Sequence, residues 1–209
     1  IAAEMMQLAL EVISQTMFST SMTQHIDRIS HALQVSIKYA FDSFSNPLFL
    51  PLWVPTARNR EFHSVMQFLD GLMYGLLAER RQSRAQHGDL LDLLLQARDE
   101  ETGEGLSDQE LRDEALTIFA AGHETTANAL AWTWYLLATH PEAKARFHEE
   151  VDRVLQGRVP SADDLQHLPY TRAIFDESLR LYPPAPALQR KASTSTTVGG
   201  LPLPAGALV

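Results

Sequence analysis

The sequence of 209 residues contains no cysteine. This absence excludes a disulfide framework and a cysteine-based zinc site in the chain. The sequence also lacks an uncharged apolar run of about 18 residues, so it predicts no transmembrane helix. Basic residues are in the minority, with 17 Lys and Arg against 26 Asp and Glu and a net charge of −9. Because a nucleic-acid partner requires a basic stripe, the composition disfavours one.

Apolar residues recur at helical spacing through most of the chain, which predicts a mainly α fold. The predicted helices cover residues 2–18, 22–44, 57–86, 89–98, 107–139, 141–155 and 169–182. The helix over 107–139 is the long central one, and Ser107 with Glu110 forms a capping box at its start. From Ala192 to Val209 the composition shifts to Thr, Val, Gly and Pro, which predicts short β strands joined at Gly199-Gly200.

Two segments carry expectations of their own. Residues 46–55 contain three prolines, which forbid regular helix, and their Leu, Phe and Trp side chains need a place to pack. We therefore expect a buried, extended connector there. The charged run at 79–84 is expected to be a solvated helix end, where basic groups suit the helix dipole.

Six residues in the middle of the central helix break several rules of helix stability together. They read Ala-Gly-His-Glu-Thr-Thr at 121–126. Gly122 costs about 1 kcal/mol relative to Ala in a helix, the Thr hydroxyls can bond back to preceding carbonyls, and Glu124 is ionisable among apolar neighbours. Such a combination indicates a functional site, and it predicts a local distortion of the helix near Gly122, where Thr125 or Glu124 supplies a side chain. The alternative is that Gly122 is a close-packing contact. His123-Glu124 does not begin a zinc-protease motif, because Ala127 stands where the second His is needed.

A second motif lies on the last predicted helix. Glu177 and Arg180 are three residues apart and share a face, and the helix ends before Pro183 and Pro184. One interpretation is a surface ion pair, which contributes little. The other is a buried pair that needs further hydrogen-bond partners to offset its desolvation. The apolar residues around the pair favour burial.

In this order, the two motifs resemble those of the cytochrome P-450 monooxygenases. Further similar segments are Ala138–Glu142, His167–Tyr170, Leu181–Pro184 and Arg190. The resemblance implies a partial cytochrome P-450 fold, with residues 1–209 an internal fragment of one domain. The family's haem iron is held by a Cys thiolate, which is then expected beyond Val209. The fragment itself is accordingly not expected to be active.

The resemblance also implies roles for the residues of the central motif. Ala121 and Gly122 would lie over the haem and leave room for O2. Thr125 would hydrogen-bond the oxygen at the iron, and Glu124 would relay protons from solvent. A carboxyl group beside an apolar cavity is expected to have a raised pKa, which favours proton delivery near neutral pH.

Three residues near the C-terminal end take supporting roles by the same resemblance. Glu177 and Arg180 would form a structural pair on the opposite side of the haem, without chemistry of their own. Arg190 matches the position of a haem-propionate contact, since guanidinium suits carboxylate well. Its alternative is an ordinary surface arginine. No residue of this chain is expected to bind a metal ion directly.

The implied cofactors are heme b (iron protoporphyrin IX) and O2, with electrons derived from NAD(P)H. These electrons would come through a redox partner. The partner would be a ferredoxin, a flavodoxin or a reductase, and it could be separate from the protein or fused to it. The segment at 46–55 would roof an apolar substrate pocket, together with Phe119 and Ala120. A fatty acid is the favoured substrate, with terpenoid or steroid oxidation as alternatives.

Bacterial members suggest a cytoplasmic protein, although an N-terminal membrane anchor would be invisible here. The competing hypothesis is a non-catalytic helical binding or scaffold domain.

Overall fold

A computed structural model describes residues 1–46, 48–83 and 87–209 of the chain. In this part the chain forms seven helices and one small sheet: α1 Ala2–Phe18, α2 Ile26–Ser45, α3 Ala57–Ser83, α4 Leu90–Gln96, α5 Asp108–Thr139, α6 Pro141–Leu155, α7 Pro169–Leu181, β1 Thr196–Val198 and β2 Leu201–Leu203. The mainly α fold, the long central helix and the C-terminal strands are therefore confirmed. The chain divides into two compact units, Ile1–Trp134 and Tyr135–Val209.

The largest differences from the predicted helix bounds are at α2 and α4. The helix α2 begins at Ile26, after a 3-10 turn at Thr23–His25, and α4 ends at Gln96. The structure describes α3 as far as Ser83, and residues 84–86 of the predicted helix lie outside the described residues. A 3-10 turn at Ala162–His167 was not predicted. It is set by a capping box, in which Asp164 accepts from the backbone N–H of Ser161 at 2.7 Å. No helix in the described residues is long and apolar enough to cross a membrane.

The first unit has one apolar core, to which α1 to α5 all contribute. Its buried members include Leu10, Ile13, Phe18, Ile29, Leu33, Leu69, Met73, Leu77, Leu91, Leu111 and Phe119. The rings of Phe18 and Phe119 meet edge to face, with their centroids 5.9 Å apart. Phe119 is fully buried there, so the expectation that it lines a substrate pocket is wrong. Its packing sets the rotation of the first half of α5.

A buried ion-pair network joins the ends of α1 and α3 to the start of α4. Arg80 donates to both carboxylate oxygens of Asp89 at 2.7 Å, to Asp92 at 2.6 Å and to the carbonyl of Phe18 at 2.8 Å. The side chains of Arg80 and Asp89 are only 7% and 3% exposed. Burial opposes ionisation of Asp89, but the Arg80 guanidinium outweighs it and holds the pKa of that carboxyl well below its usual range. The expectation of a solvated run at 79–84 is therefore wrong for Arg80, and Arg84 lies outside the described residues.

In the second unit, α6 supplies the cap that α7 lacks. Pro169 begins α7, and Leu168 before it makes no side-chain cap. The carboxylate of Glu150, on α6, instead accepts from the backbone N–H groups of Tyr170 and Thr171 at 2.9 and 2.7 Å. This contact satisfies donors that a helix start otherwise leaves unpaired, and it fixes α7 against α6.

The strands β1 and β2 form an antiparallel hairpin. Thr196 lies opposite Leu203, and Val198 lies opposite Leu201. Gly199 and Gly200, at the turn, have φ of 57° and 84°, which glycine adopts without steric cost. The predicted turn at Gly199-Gly200 is confirmed.

The Arg80 network generates a stability prediction with a built-in control. Arg80→Ala should lower the free energy of unfolding by about 3–5 kcal/mol, because it leaves Asp89 and Asp92 buried without a cation. The neighbouring Arg81 pairs with Asp108 in solvent, with side chains 45% and 65% exposed, so Arg81→Ala should change stability far less. Urea unfolding followed by circular dichroism measures both, and equal losses in the two variants would contradict the assignment.

The pH dependence of the same variant gives a second readout. Because the pKa of Asp89 is depressed in the folded protein, its contribution is complete above the ordinary value of 3.8 and is lost as the pH falls towards the folded value. The stability difference between wild type and Arg80→Ala should therefore shrink between about pH 5 and about pH 2. A difference that stays constant over that range would exclude the Asp89 ion pair as its source.

Candidate functional site

The central motif lies on an unbroken stretch of α5. All residues from Asp108 to Thr139 are α-helical, so the local distortion expected near Gly122 is not observed. The hydroxyl of Thr125 donates to the carbonyl of Ala121 at 2.6 Å. A carbonyl has two lone pairs, so this bond can be added to the helical ladder without opening it.

The motif divides between two faces of α5. Ala121 and Thr125 are exposed on one face, whereas His123 is buried on the other. A Cβ at Gly122 would lie 2.3 Å from Cδ1 of Ile13 on α1. Gly122 is thus a close-packing glycine, which is the alternative that the sequence left open. The space for O2 at Ala121 and Gly122 stays a prediction.

His123 anchors this turn to α1 and was not recognised as important from the sequence. Its side chain is 1% exposed, and its Nε2 lies 3.1 Å from the carbonyl oxygen of Met6. Because a carbonyl only accepts, Nε2 carries the proton, and the buried Nδ1 has no partner among the described residues. Burial lowers the pKa of His123, against the opposing effect of the Met6 carbonyl, and thereby favours the neutral ring. The ring also stacks on Phe119, with centroids 6.5 Å apart.

Glu124 is half-buried between the two faces. Its burial raises the pKa of the carboxyl above its ordinary value, in the direction predicted from the sequence. A carboxyl group in this state can hold a proton closer to neutral pH and release it to a neighbouring acceptor. Among the described residues, no cluster of three or more His, Asp or Glu side chains could hold a metal ion.

An apolar groove of about 360 Å³ lies between α2, α3 and α5 in the same unit. Its lining residues are Leu33, Ser36, Ile37, Tyr39, Ala40, Phe62, Met66, Leu69, Leu116, Thr117 and Ala120. Ala120 lines it as predicted and is the chain neighbour of Ala121. The groove therefore ends beside the exposed face of the motif.

The proline-rich segment before α3 is exposed, so the expected buried connector is wrong. Leu48 and Trp53 are 85% and 82% exposed, and Pro47 lies outside the described residues. The segment is held instead from α3, where the buried Asn59 amide donates to the carbonyls of Pro51 and Val54 at 2.8 Å each. Leu48 and Trp53 thus face solvent, whereas Phe49 is half-buried against the Tyr39 ring.

In the second unit, Glu177 and Arg180 form the predicted pair, with N–O distances of 2.7 and 2.6 Å. Their side chains are 54% and 67% exposed, so the prediction of a buried pair is wrong. The reason lies in α7 itself, whose buried residue is Ser178, whereas Leu181 is 46% exposed. The ion pair raises the pKa of Arg180 and lowers that of Glu177.

Arg190 lies in an extended segment of the second unit. Its backbone exchanges both hydrogen bonds with Val209, at 2.8 and 2.9 Å. The exposed guanidinium donates to the carbonyl of Gln189, and no described carboxylate pairs with it. His140 is the N-cap residue of α6 but makes no side-chain capping bond there, and its Nδ1 lies 2.8 Å from the carbonyl oxygen of Leu136 in α5.

The family model of cytochrome P450 matches residues 1–209. This chain belongs to the cytochrome P450 family. Its relatives include the cyclooctat-9-en-7-ol 5-monooxygenase of Streptomyces melanosporofaciens, at 40% identity over 100% of this chain and 46% of that protein. The pentalenene oxygenase of Streptomyces avermitilis is 36% identical over 99% of this chain and 46% of its own length.

A bifunctional cytochrome P450/NADPH–P450 reductase of Bacillus cereus is 37% identical over 88% of this chain and 16% of that protein. The crystal structure of the cytochrome P450DA heme domain superimposes with a TM-score of 0.85 at 32% identity, covering 100% of this chain and 46% of the other. The chain thus spans about half the length of the first relatives and has the P450 fold throughout.

The exposed face of α5 fits the haem that cytochrome P450 proteins bind. Thr117, Ala121 and Thr125 follow at intervals of four residues and are all exposed, so they form one face of small side chains. A flat macrocycle could lie against this face without meeting a bulky group. The Thr125 hydroxyl is the polar atom of the motif on that face.

The contact of Gly122 with Ile13 predicts how a substitution at position 122 changes the stability of the protein. Gly122→Ala should destabilise the protein by about 1 kcal/mol, because overpacking against Ile13 outweighs the gain in helix propensity. Gly75→Ala, on α3 with open space around it, should stabilise by about 0.5–1 kcal/mol. Chemical unfolding measures both.

A double-mutant cycle tests the cause of that loss. Ile13→Val removes Cδ1 and should cost about 0.5–1.5 kcal/mol alone. In that background Gly122→Ala should cost less than in the wild type, because the clashing atom is gone. Additive effects would show that Gly122 and Ile13 are not in the close contact described.

Proposed function

We propose that this chain provides the oxygen-side face and the substrate groove of a haem-dependent monooxygenase, which inserts one atom of O2 into an apolar organic molecule. The observation that carries this proposal is the exposed Thr125 hydroxyl next to Glu124, whose pKa is raised. Thr125 lies on a face of small residues that adjoins an apolar groove, and Glu124 lies at the side of that face. When bound, the haem would supply the activation of O2 with electrons derived from NAD(P)H.

Each residue of the motif has a separate task in this proposal. Ala121 leaves this face of α5 free of a large side chain, because its own side chain is a single methyl group. Thr125 donates to Ala121 and keeps lone pairs with which to accept a proton, so it can receive and pass one on. Glu124 supplies the proton from the solvent side. Gly122 and His123 hold the turn in place from the opposite face of α5.

The second unit would contribute contacts outside the reaction itself. Arg190, exposed and without a carboxylate partner in the described residues, suits a haem propionate. Glu177 and Arg180 remain a structural pair in this proposal. The thiolate that the family uses as iron ligand would come from outside residues 1–209, so we propose that the chain needs the remainder of the domain for activity.

An apolar substrate is supported by the groove between α2, α3 and α5, and we keep a fatty acid as first candidate. The names of the Streptomyces relatives support cyclooctat-9-en-7-ol or pentalenene as the second. The bifunctional relative supports a reductase as redox partner, fused or separate. The bacterial sources of these relatives are compatible with a cytoplasmic protein.

Substitution of Thr125 tests the mechanism most directly. Thr125→Ala removes the hydroxyl with little effect on the helix, since Ala is a good helix former. Haem content and substrate binding should persist, while product formed per NAD(P)H consumed falls and hydrogen peroxide rises. NAD(P)H, peroxide and hydroxylated product are measured together in the full-length haem protein with its reductase.

Thr133→Ala is the matched control for that experiment. The Thr133 hydroxyl also donates to the carbonyl four residues earlier, at 2.8 Å, but two helical turns further along α5. It should leave the ratio of product to NAD(P)H unchanged. Equal coupling in Thr125→Ala and wild type would remove Thr125 from proton delivery. Absence of oxygenated product with every substrate tried would favour a non-catalytic binding domain.

A further inference from the structure

An arginine and three aromatic rings form a cluster at one end of the apolar groove. The guanidinium carbon of Arg58 lies 3.8 Å from the ring centre of Phe49 and 5.7 Å from that of Tyr39. The Tyr39 ring stacks on Phe62, with centroids 4.0 Å apart, and meets Phe49 edge to face at 4.9 Å. The rings hold the cation in a defined position.

Within the described residues, Arg58 has no acceptor for its hydrogen bonds. Its Nε is buried without a partner, and no carboxylate lies within ion-pair distance. Asp42, three residues after Tyr39, pairs with Lys38 at 2.9 Å, and Glu61, three residues after Arg58, lies 3.7 Å from His31. A half-buried cation in this state lacks the hydrogen bonds that would offset its desolvation.

The cluster is continuous with the groove. Tyr39 and Phe62 belong to both, and Phe62, Met66 and Leu69 continue the lining along one face of α3. The distance from Arg58 to Leu69 along the helix axis is about 16 Å. At its other side the groove reaches Ala120, the neighbour of Ala121 on α5. A single elongated molecule could therefore have a charged end at Arg58 and an apolar end near the motif.

We propose that the groove binds a long-chain carboxylate, whose head group pairs with Arg58 and whose alkyl chain lies along α3 towards α5. This inference rests on the proposed function, in which the groove is the substrate site. The contact with Phe49 occupies one face of the guanidinium and leaves its in-plane N–H groups for a carboxylate, which they can bind as a fork. The Tyr39 hydroxyl, which has no partner among the described residues, is a second donor at the same end.

The test compares two ligands with the same chain and different heads. Dodecanoate and dodecan-1-ol are titrated into the full-length haem protein by isothermal calorimetry, without reductase, so that binding is read independently of turnover. Arg58→Gln should weaken dodecanoate binding by about 10- to 100-fold, because a charge-assisted hydrogen-bonded pair is lost. It should leave dodecan-1-ol binding unchanged. Tyr39→Phe should weaken dodecanoate binding by a smaller factor.

The controls separate charge from packing. Arg60→Gln changes an exposed arginine two residues away, whose Nη1 donates to the carbonyl of Pro55, and should affect neither ligand. Arg58→Lys keeps the charge without the fork and should recover only part of the lost affinity.

An equal loss for both ligands in Arg58→Gln would overturn the proposal, because Arg58 would then act through groove shape. Wild-type protein that binds neither ligand would overturn it as well. Arg58-dependent binding of dodecanoate without any oxygenated product would support this inference and contradict the proposed function.

Discussion

The contact between α5 and α1 is the constraint on which the candidate site depends. The Ile13 side chain of α1 occupies the space beside α5 in which a Cβ of residue 122 would lie, so this packing requires a glycine there. His123, one position later, adds a hydrogen bond to the carbonyl of Met6. Because both contacts lie on one face of α5, the opposite face is turned outward with Ala121 and Thr125. The contacts of Gly122 and His123 thereby fix the direction in which Ala121 and Thr125 point.

The rest of the first unit keeps this contact in register. Phe119 lies one turn before His123 and packs against Phe18, at the end of α1. The carbonyl of Phe18 is in turn bound by Arg80, which also ties α4 to α3 through its two aspartates. The apolar packing holds α1 against α5, and the directional hydrogen bonds of the buried guanidinium hold the end of α1 beside α3 and α4.

The groove and the motif differ in how they use charge. Glu124 is a carboxyl group whose charge is disfavoured by burial, which suits a group that carries a proton. Arg58 is a cation that packs on aromatic rings and has no carboxylate partner in the described residues, which suits a group that binds an anionic ligand. Both lie in the first unit, and in the proposals above a bound molecule has its polar end at Arg58, while Glu124 lies on α5 beside the motif. Binding and reaction would then be served by separate side chains.

Local sequence patterns determined the helices, the capping box at Ser107, the hairpin turn at Gly199-Gly200 and the position of the motif at 121–126. These features follow from the spacing of apolar residues and from the backbone preferences of a few residue types. Burial was not predictable in the same way. Arg80 stands in a run of charged residues and is buried, whereas Glu177 and Arg180 stand among apolar residues and are exposed. Gly122 could have been open space or a close contact, and only the position of Ile13, more than a hundred residues away in the chain, decided which. Burial and partners depend on which elements pack together over long sequence separations, and that information is present only in the tertiary structure.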